Sequence, residues 1–403
     1  MARATPSPQQ RDHRLSEVAW LFFRLGWTAF GGPAAHIAMM REEVVRRRQW
    51  VSDEEFLDLV GIANLIPGPT STELAIYLGY LRAGWLGLLV GGVCFIGPAM
   101  LIVLVLAWAY VRYGSLPQVG WLFYGIKPVV VAIIAQVLWE LGRTKLNGIW
   151  PIIVALLVLV FYLLGINTLF LLFGGGLLFG SMRWAERWRK STSEVKSLLA
   201  PFSLGGLRAS WQHLSLTLSG GGTLAAAVPF SLLTLFLTFL KIGALLYGSG
   251  YVLLAFLRND FVLTLHWLTD RQLLDAVSIG QFTPGPVFTT ATFIGYLVGG
   301  WQGALLATLA IFLPSFVFIA LVHPLAARLR RSPWTAPFLD GVTVAALALI
   351  AGVLIQLGQA ALIDVLTGVI ALGSFALLLR FKINSAWLIL AGAVLGVVRF
   401  WPG

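Results

Sequence analysis

The chain has one cysteine, Cys94, in 403 residues, and charged residues make up 11% of it. A single thiol excludes a disulfide framework and any cysteine-held metal or iron–sulfur centre. Histidine is equally sparse: the five lie at 13, 36, 213, 266 and 323, with no HExxH or other ligand spacing. No metal site, catalytic cluster or cofactor is therefore expected. Ordinary soluble domains carry about 25% charged residues, so the shortage of charge also excludes a soluble enzyme and a disordered chain. The acidic residues number 17 against 28 basic ones. That surplus sits in short loops between apolar runs, which fits the orientation rule of membrane proteins and not nucleic-acid binding. The polar stretch 1–16 lacks an apolar core before a cleavage site, so no signal peptide is expected.

What the chain has in abundance is hydrophobicity, at 58% of residues and a mean hydropathy of +0.86. Runs long enough to cross a bilayer lie near 17–40, 84–111, 121–142, 149–165 and 167–182, then near 229–257, 299–323, 337–358, 361–379 and 384–400. In lipid each segment must satisfy its own backbone groups, so an all-α polytopic membrane protein is expected.

The two sets of runs carry one design twice. RLGWTAFGG (24–32), Trp50 to Asp53, NLIPGPTST (64–72), Gly79-Tyr80, GWLG (84–87) and Pro98 recur in order. Their copies are KIGALLYGS (241–249), Trp267 to Asp270, QFTPGPVFTT (281–290), Gly295-Tyr296, GWQG (300–303) and Pro314. The offset is 217 residues through the PGP motifs and 216 after them. This gives a polar tail (1–16), a first repeat (17–182), a polar cytoplasmic linker (183–228) and a second repeat (229–403).

Segments 54–82 and 271–297 could each span, yet each is cut by Pro-Gly-Pro. Proline lacks an N–H and clashes with the preceding turn. Each limb then reaches about 20 Å, too short to cross but suited to a re-entrant hairpin. Setting aside Arg24, Lys127 and Lys241 inside the spans, 25 basic residues remain. Two hairpins and ten crossings put 18 of these on one side and 7 on the other, whereas twelve crossings split them 12 to 13. The positive-inside rule favours the hairpins. Five crossings per half make the second half an upside-down copy of the first. This count leaves the N-terminus outside, against the preference of Arg3, Arg11 and Arg14; a half-helix broken at Gly31-Gly32-Pro33 is the alternative for the first segment.

Broken helices expose backbone N–H groups and positive helix ends at membrane depth. Gly68 between Pro67 and Pro69, followed by Thr70, Ser71 and Thr72, forms one such tip. Gly285 between Pro284 and Pro286, followed by Thr289 and Thr290, forms the other. Asn64 and Gln281 hold matching places before the breaks and can donate from their amides. Together these suit a tetrahedral oxyanion, while simple kinking is the bland alternative. Arg24 and Lys241 align across the repeat, each inside an apolar run and followed by a glycine-rich break (Gly31-Gly32; Gly248 onward). Cations at that depth attract an anion or snorkel to the interface. Glu73, with no acidic counterpart, is a candidate proton-coupling group or a helix-end carboxylate. Asp58 and Asp275 read as structural, and Lys127, matched by Thr343, as a snorkelling residue. The tryptophans read as interfacial belts.

FGGP (30–33) with its copy YGSG (247–250), and the twin PGP motifs, make the sequence resemble the chromate ion transporter (CHR) family in its long, two-domain form, over about 15–400. The resemblance implies chromate export across the bacterial inner membrane, in a multi-pass protein that confers chromate resistance. Chromate, a tetrahedral dianion shaped like sulfate, suits the donors described, and an inside-negative potential drives it outward. Proton antiport through Glu73 is an optional addition. A sulfate or other oxyanion carrier presents the same donors, and a channel also stays open. An intramembrane enzyme lacks a nucleophile–base pair. A homodimer stays open as well.

Overall fold

The computed structural model describes residues 8–196, 229–247, 250–322, 335–381 and 383–400. Among them there is no strand. The first half comprises α1 (Pro8–Thr28), α2 (Gly32–Arg41), α3 (Asp53–Ala63), α4 (Thr70–Tyr113), α5 (Pro117–Lys145), α6 (Ile149–Leu163) and α7 (Thr168–Lys196). The second repeats this order as α8 (Leu232–Leu245), α9 (Leu253–Leu257), α10 (Asp270–Phe282), α11 (Thr290–Val322), α12 (Thr335–Ala361), α13 (Val365–Phe381) and α14 (Ser385–Phe400). The expected all-α membrane architecture in two repeats is the one found. Five stretches, in α4, α5, α7, α11 and α12, are long and apolar enough to cross a bilayer, and α6, α8, α13 and α14 are shorter apolar helices.

The run 17–40, expected as one crossing, is two helices side by side. Gly31 and Gly32 take φ of +106° and +77°, and Pro33 follows without an N–H, so α1 cannot continue. The chain then doubles back, for Arg24 Nη2 meets Glu43 at 2.6 Å. One continuous helix would hold these residues about 28 Å apart. The run 229–257 does the same, with Lys241 Nζ 2.7 Å from Asp260. Each returning limb ends in a π-helical turn, Glu42–Arg47 or Arg258–Thr264.

The next limb starts from a capping box in both halves: Ser52 with Glu55, and Thr269 with Gln272. Arg41 Nε and Arg258 Nε each bond the first residue of that limb, Asp53 or Asp270, at 2.7 Å. After the PGP break the chain reverses again. The Arg82 guanidinium lies 5.3 Å from the Trp50 ring, which brings the residues before α3 level with the end of limb 70–82. In the second half Phe230 sits 5.2 Å from Trp267 and also packs on Gly299.

A last reversal lies within α4 at Ala83-Gly84 and within α11 at Gly299-Gly300, both non-helical. The limbs so formed pack backbone to backbone. Gly79 faces Gly87, and Gly295 faces Gly303, too closely for any side chain.

The halves run in opposite senses. Glu17, bonded to Arg82 Nη2 at 2.6 Å, marks the end where α1 and limb 85–113 begin. Tyr110, about 38 Å farther along that limb, bonds Asp275 near the start of α10. The hairpin base of the second half thus lies at the far end of the first. The inter-half seams are built from small residues in reciprocal places: Gly125 against Gly392, and Gly176 against Gly341. Large apolar side chains such as Trp20, Trp85, Leu89, Phe170 and Trp301 face outward, as a lipid-facing surface requires.

Candidate functional site

The two PGP tips meet the two broken first helices, each tip engaging the half it does not belong to. Gly68 N–H donates to Leu246 O at 2.8 Å, and Gly285 N–H donates to Ala29 O at 2.8 Å. Ala29 and Leu246 hold the same place in the repeat, just past the ends of α1 and α8. Gly68 and Gly285, at φ +140° and +86°, approach the opposite half where a side chain would collide. A Cβ on Gly285 would lie 2.7 Å from the Ala99 Cβ, and one on Gly68 2.7 Å from Ser315 Oγ. Ala99 and Ser315 follow the matched prolines Pro98 and Pro314. The arrangement is a reciprocal latch around the pseudo-two-fold.

Around the first tip, Ser71, Thr72 and Glu73 are buried, while Asn64 is exposed and its Oδ1 accepts from Thr70 Oγ1 at 3.4 Å. Thr72 Oγ1 and both Glu73 oxygens have no hydrogen-bond partner. Around the second tip the hydroxyls are committed to backbone, Thr289 to Pro286 O and Thr290 to Val287 O, both at 2.8 Å. Gln281 is buried, accepts from Tyr251 OH at 3.3 Å, and keeps a free Nε2. Gly32 packs near that same Tyr251 hydroxyl. Gly248 lies outside the described residues. The tips, Gly31-Gly32 and Gln281 are thus brought to the seam between the halves, with many of their donors engaged by protein.

Arg24 and Lys241 are not bare cations. Glu43 and Asp260, both buried, neutralise them, and Arg47 and Arg48 share Glu43 at 3.0 and 3.4 Å. The missed partners had a signal, since 43 and 260 are acidic at the 217-residue offset. Lys127, expected to snorkel, is instead buried against Asp275 at 2.8 Å. His36, likewise unassigned by pattern, is buried with Nε2 3.0 Å from Ala29 O, on the carbonyl that the second tip uses. No cluster of three metal-ligating side chains occurs among the described residues.

The sequence signature of the chromate transporter family matches twice, over residues 16–180 and 233–397. A chromate transport protein of Cupriavidus metallidurans is 35% identical over 96% of this chain and 94% of its own. Another, of Pseudomonas aeruginosa, is 30% identical over 94% of this chain and 91% of its own. No solved structure matches. The paired matches fall on the two latched halves, and the chain belongs to the chromate transporter family.

Proposed function

We propose that the protein exports chromate from the cytoplasm across the bacterial inner membrane, using the latch between the halves as its anion site and gate. The observation that carries this is the reciprocal pair of bonds from Gly68 to Leu246 and from Gly285 to Ala29. Parting one latch frees a glycine N–H beside the first-turn amides and hydroxyls of its tip, a donor set suited to an oxyanion. Because the halves are antiparallel, one latch opens toward each face, the alternation a secondary transporter needs. Arg24 and Lys241 add positive potential that Glu43 and Asp260 temper, which keeps binding weak enough for release.

This reading also sets the membrane path. The short hairpins of the first half are re-entrant, and 85–113, α5, α6 and α7 cross completely. Arg14, Arg41 to Arg48, Arg82, Arg143, Lys145 and Arg183 then share the cytoplasmic side, with Arg112 opposite. The N-terminus moves to the cytoplasm, where its arginines favour it. An inside-negative potential of 100 mV contributes about 2.3 kcal/mol per elementary charge, hence about 4.6 kcal/mol for a dianion leaving. Proton antiport through Glu73 would add to this drive.

The test is uptake of labelled chromate by everted membrane vesicles, with and without excess sulfate. Saturable, potential-driven accumulation that sulfate barely blocks is expected. Accumulation abolished by equimolar sulfate would make the protein a general oxyanion carrier, and no accumulation would end the transport reading.

A further inference from the structure

The duplication copies the Arg24 and Lys241 ion pairs, the caps, the breaks and the latches, but it does not copy Glu73. Of the ten residues from 64 to 73 and the ten from 281 to 290, Glu73 is the one ionisable side chain. It is fully buried, and neither carboxyl oxygen has a hydrogen-bond partner. It folds back over its own tip, so that a Cβ on Gly68 would strike Glu73 Oε1. The same absent Cβ would lie 2.7 Å from Ser315 Oγ, on α11 of the other half. Ser315 is fully buried too, and its hydroxyl stands beside the carboxyl. The other titratable group that faces Glu73 is Tyr247, just beyond α8, and no Lys, Arg or His pairs with it among the described residues. At the second latch the aligned positions hold Thr289 and Thr290, and Ala99 stands where Ser315 would be.

We propose that Glu73 and Ser315 form a single proton-coupling site built across the two halves, closed while Gly68 holds Leu246 and opened to water when that latch parts. This rests on the transport reading and adds to it the second residue, the gate and the stoichiometry. The proton binds one carboxyl oxygen of Glu73, is shared with Ser315 Oγ while the latch is shut, and leaves to water when it opens. No bond to the anion forms or breaks. A fully buried carboxyl with no cation to pair it is a place for a proton. Ser315, arriving from the other half, makes that place depend on the relative position of the halves. One such site per chain gives one proton per cycle, although the fold is duplicated.

The test uses the full chain in liposomes, with labelled chromate flux measured at fixed potential with and without an imposed pH gradient. The wild-type ratio of the two fluxes should be several-fold. In Glu73→Gln it should fall to one, whatever the flux itself. Ser315→Ala should shift the pH midpoint of the flux, and Ser315→Thr should restore it, a rescue that a packing defect would not show. If E73Q lacks measurable flux, the Ser315 pair decides. A wild-type ratio of one, an E73Q ratio equal to the wild type, or an unmoved midpoint in S315A overturns the proposal while leaving chromate transport intact. Absence of both chromate and sulfate flux in the wild type ends the transport reading as well.

Discussion

Lys127 Nζ lies 2.8 Å from Asp275 Oδ1, and this buried pair ties α5 of one half to α10 of the other. Tyr110 OH donates to the second carboxylate oxygen at 2.8 Å. Removing one partner of a buried pair strands a charge and costs about 3–5 kcal/mol, whereas replacing both by apolar groups is often neutral. Lys127→Met should therefore lower the unfolding temperature in detergent markedly, and adding Asp275→Leu should recover most of the loss. A K127M protein as stable as the wild type would show that the pair holds nothing together.

Arg24 and Lys241 distinguish attraction of an anion from bracing of a hairpin. Neutralising either, as Arg24→Gln or Lys241→Gln, should abolish chromate export while the protein still reaches the membrane. Exchanging the partners, Arg24→Glu with Glu43→Arg, keeps the pair and moves the positive charge. If export depends on the field at position 24, the exchange will not restore it. Full recovery would assign the pair to bracing alone, and retained export in both neutral variants would remove the cations from the site.

Gly68 and Gly285 permit the latch through positive φ and a missing side chain. Alanine at either carries backbone strain of about 1–3 kcal/mol and a clash with the opposite half. Gly285→Ala should cut export at least about tenfold, by separating Gly285 N–H from the Ala29 carbonyl, a bond that itself contributes about 1 kcal/mol. Ala99→Gly should relieve the clash in part but not the strain, so the double variant should regain only some export. Transport assays on both variants, normalised to protein in the membrane, check this.

The membrane path is open to labelling. In a Cys94→Ser background, single cysteines at Gln49 and Gly84 should react with an impermeant maleimide from the cytoplasmic side, and at Gly114 and His266 from the outside. Reaction of positions 49 and 84 from opposite faces would mean that the first PGP segment crosses, and the antiparallel latch would lose its basis.

Acid should loosen the base of the first hairpin. Hydrogen bonding from Arg41 holds the Asp53 carboxyl below its usual 3.8. A carboxylate lowered on folding stabilises the native state above its unfolded pKa, and that contribution disappears as pH falls through the folded value. Amide exchange in the first turn of α3 should thus speed up below about pH 4, and Asp53→Asn should show the faster exchange already at neutral pH.

The repeat, the all-helical class and the PGP reversals were legible because they rest on covalent facts: proline without an N–H, glycine without a Cβ, and a fixed motif offset. The reversal at Gly31-Gly32 carried the same signal, but the apolar run 17–40 is long enough to span, so the count of crossings took it as one. The partners of Arg24 and Lys241 were written in the repeat offset, but that of Lys127 was hidden for another reason. Contacts such as Lys127 with Asp275 join residues far apart in sequence, and periodicity along one helix says nothing about them. Ser315 was equally silent, an ordinary serine in an apolar helix until the opposite tip is set beside it.

The crossed glycine bonds have one more consequence. Cut between 182 and 229, the molecule would leave each fragment with a donor whose acceptor resides on the other piece. Neither fragment could complete its own bond, and co-production of the two should restore what each lacks alone. Duplication here has made two incomplete machines into one obligate whole.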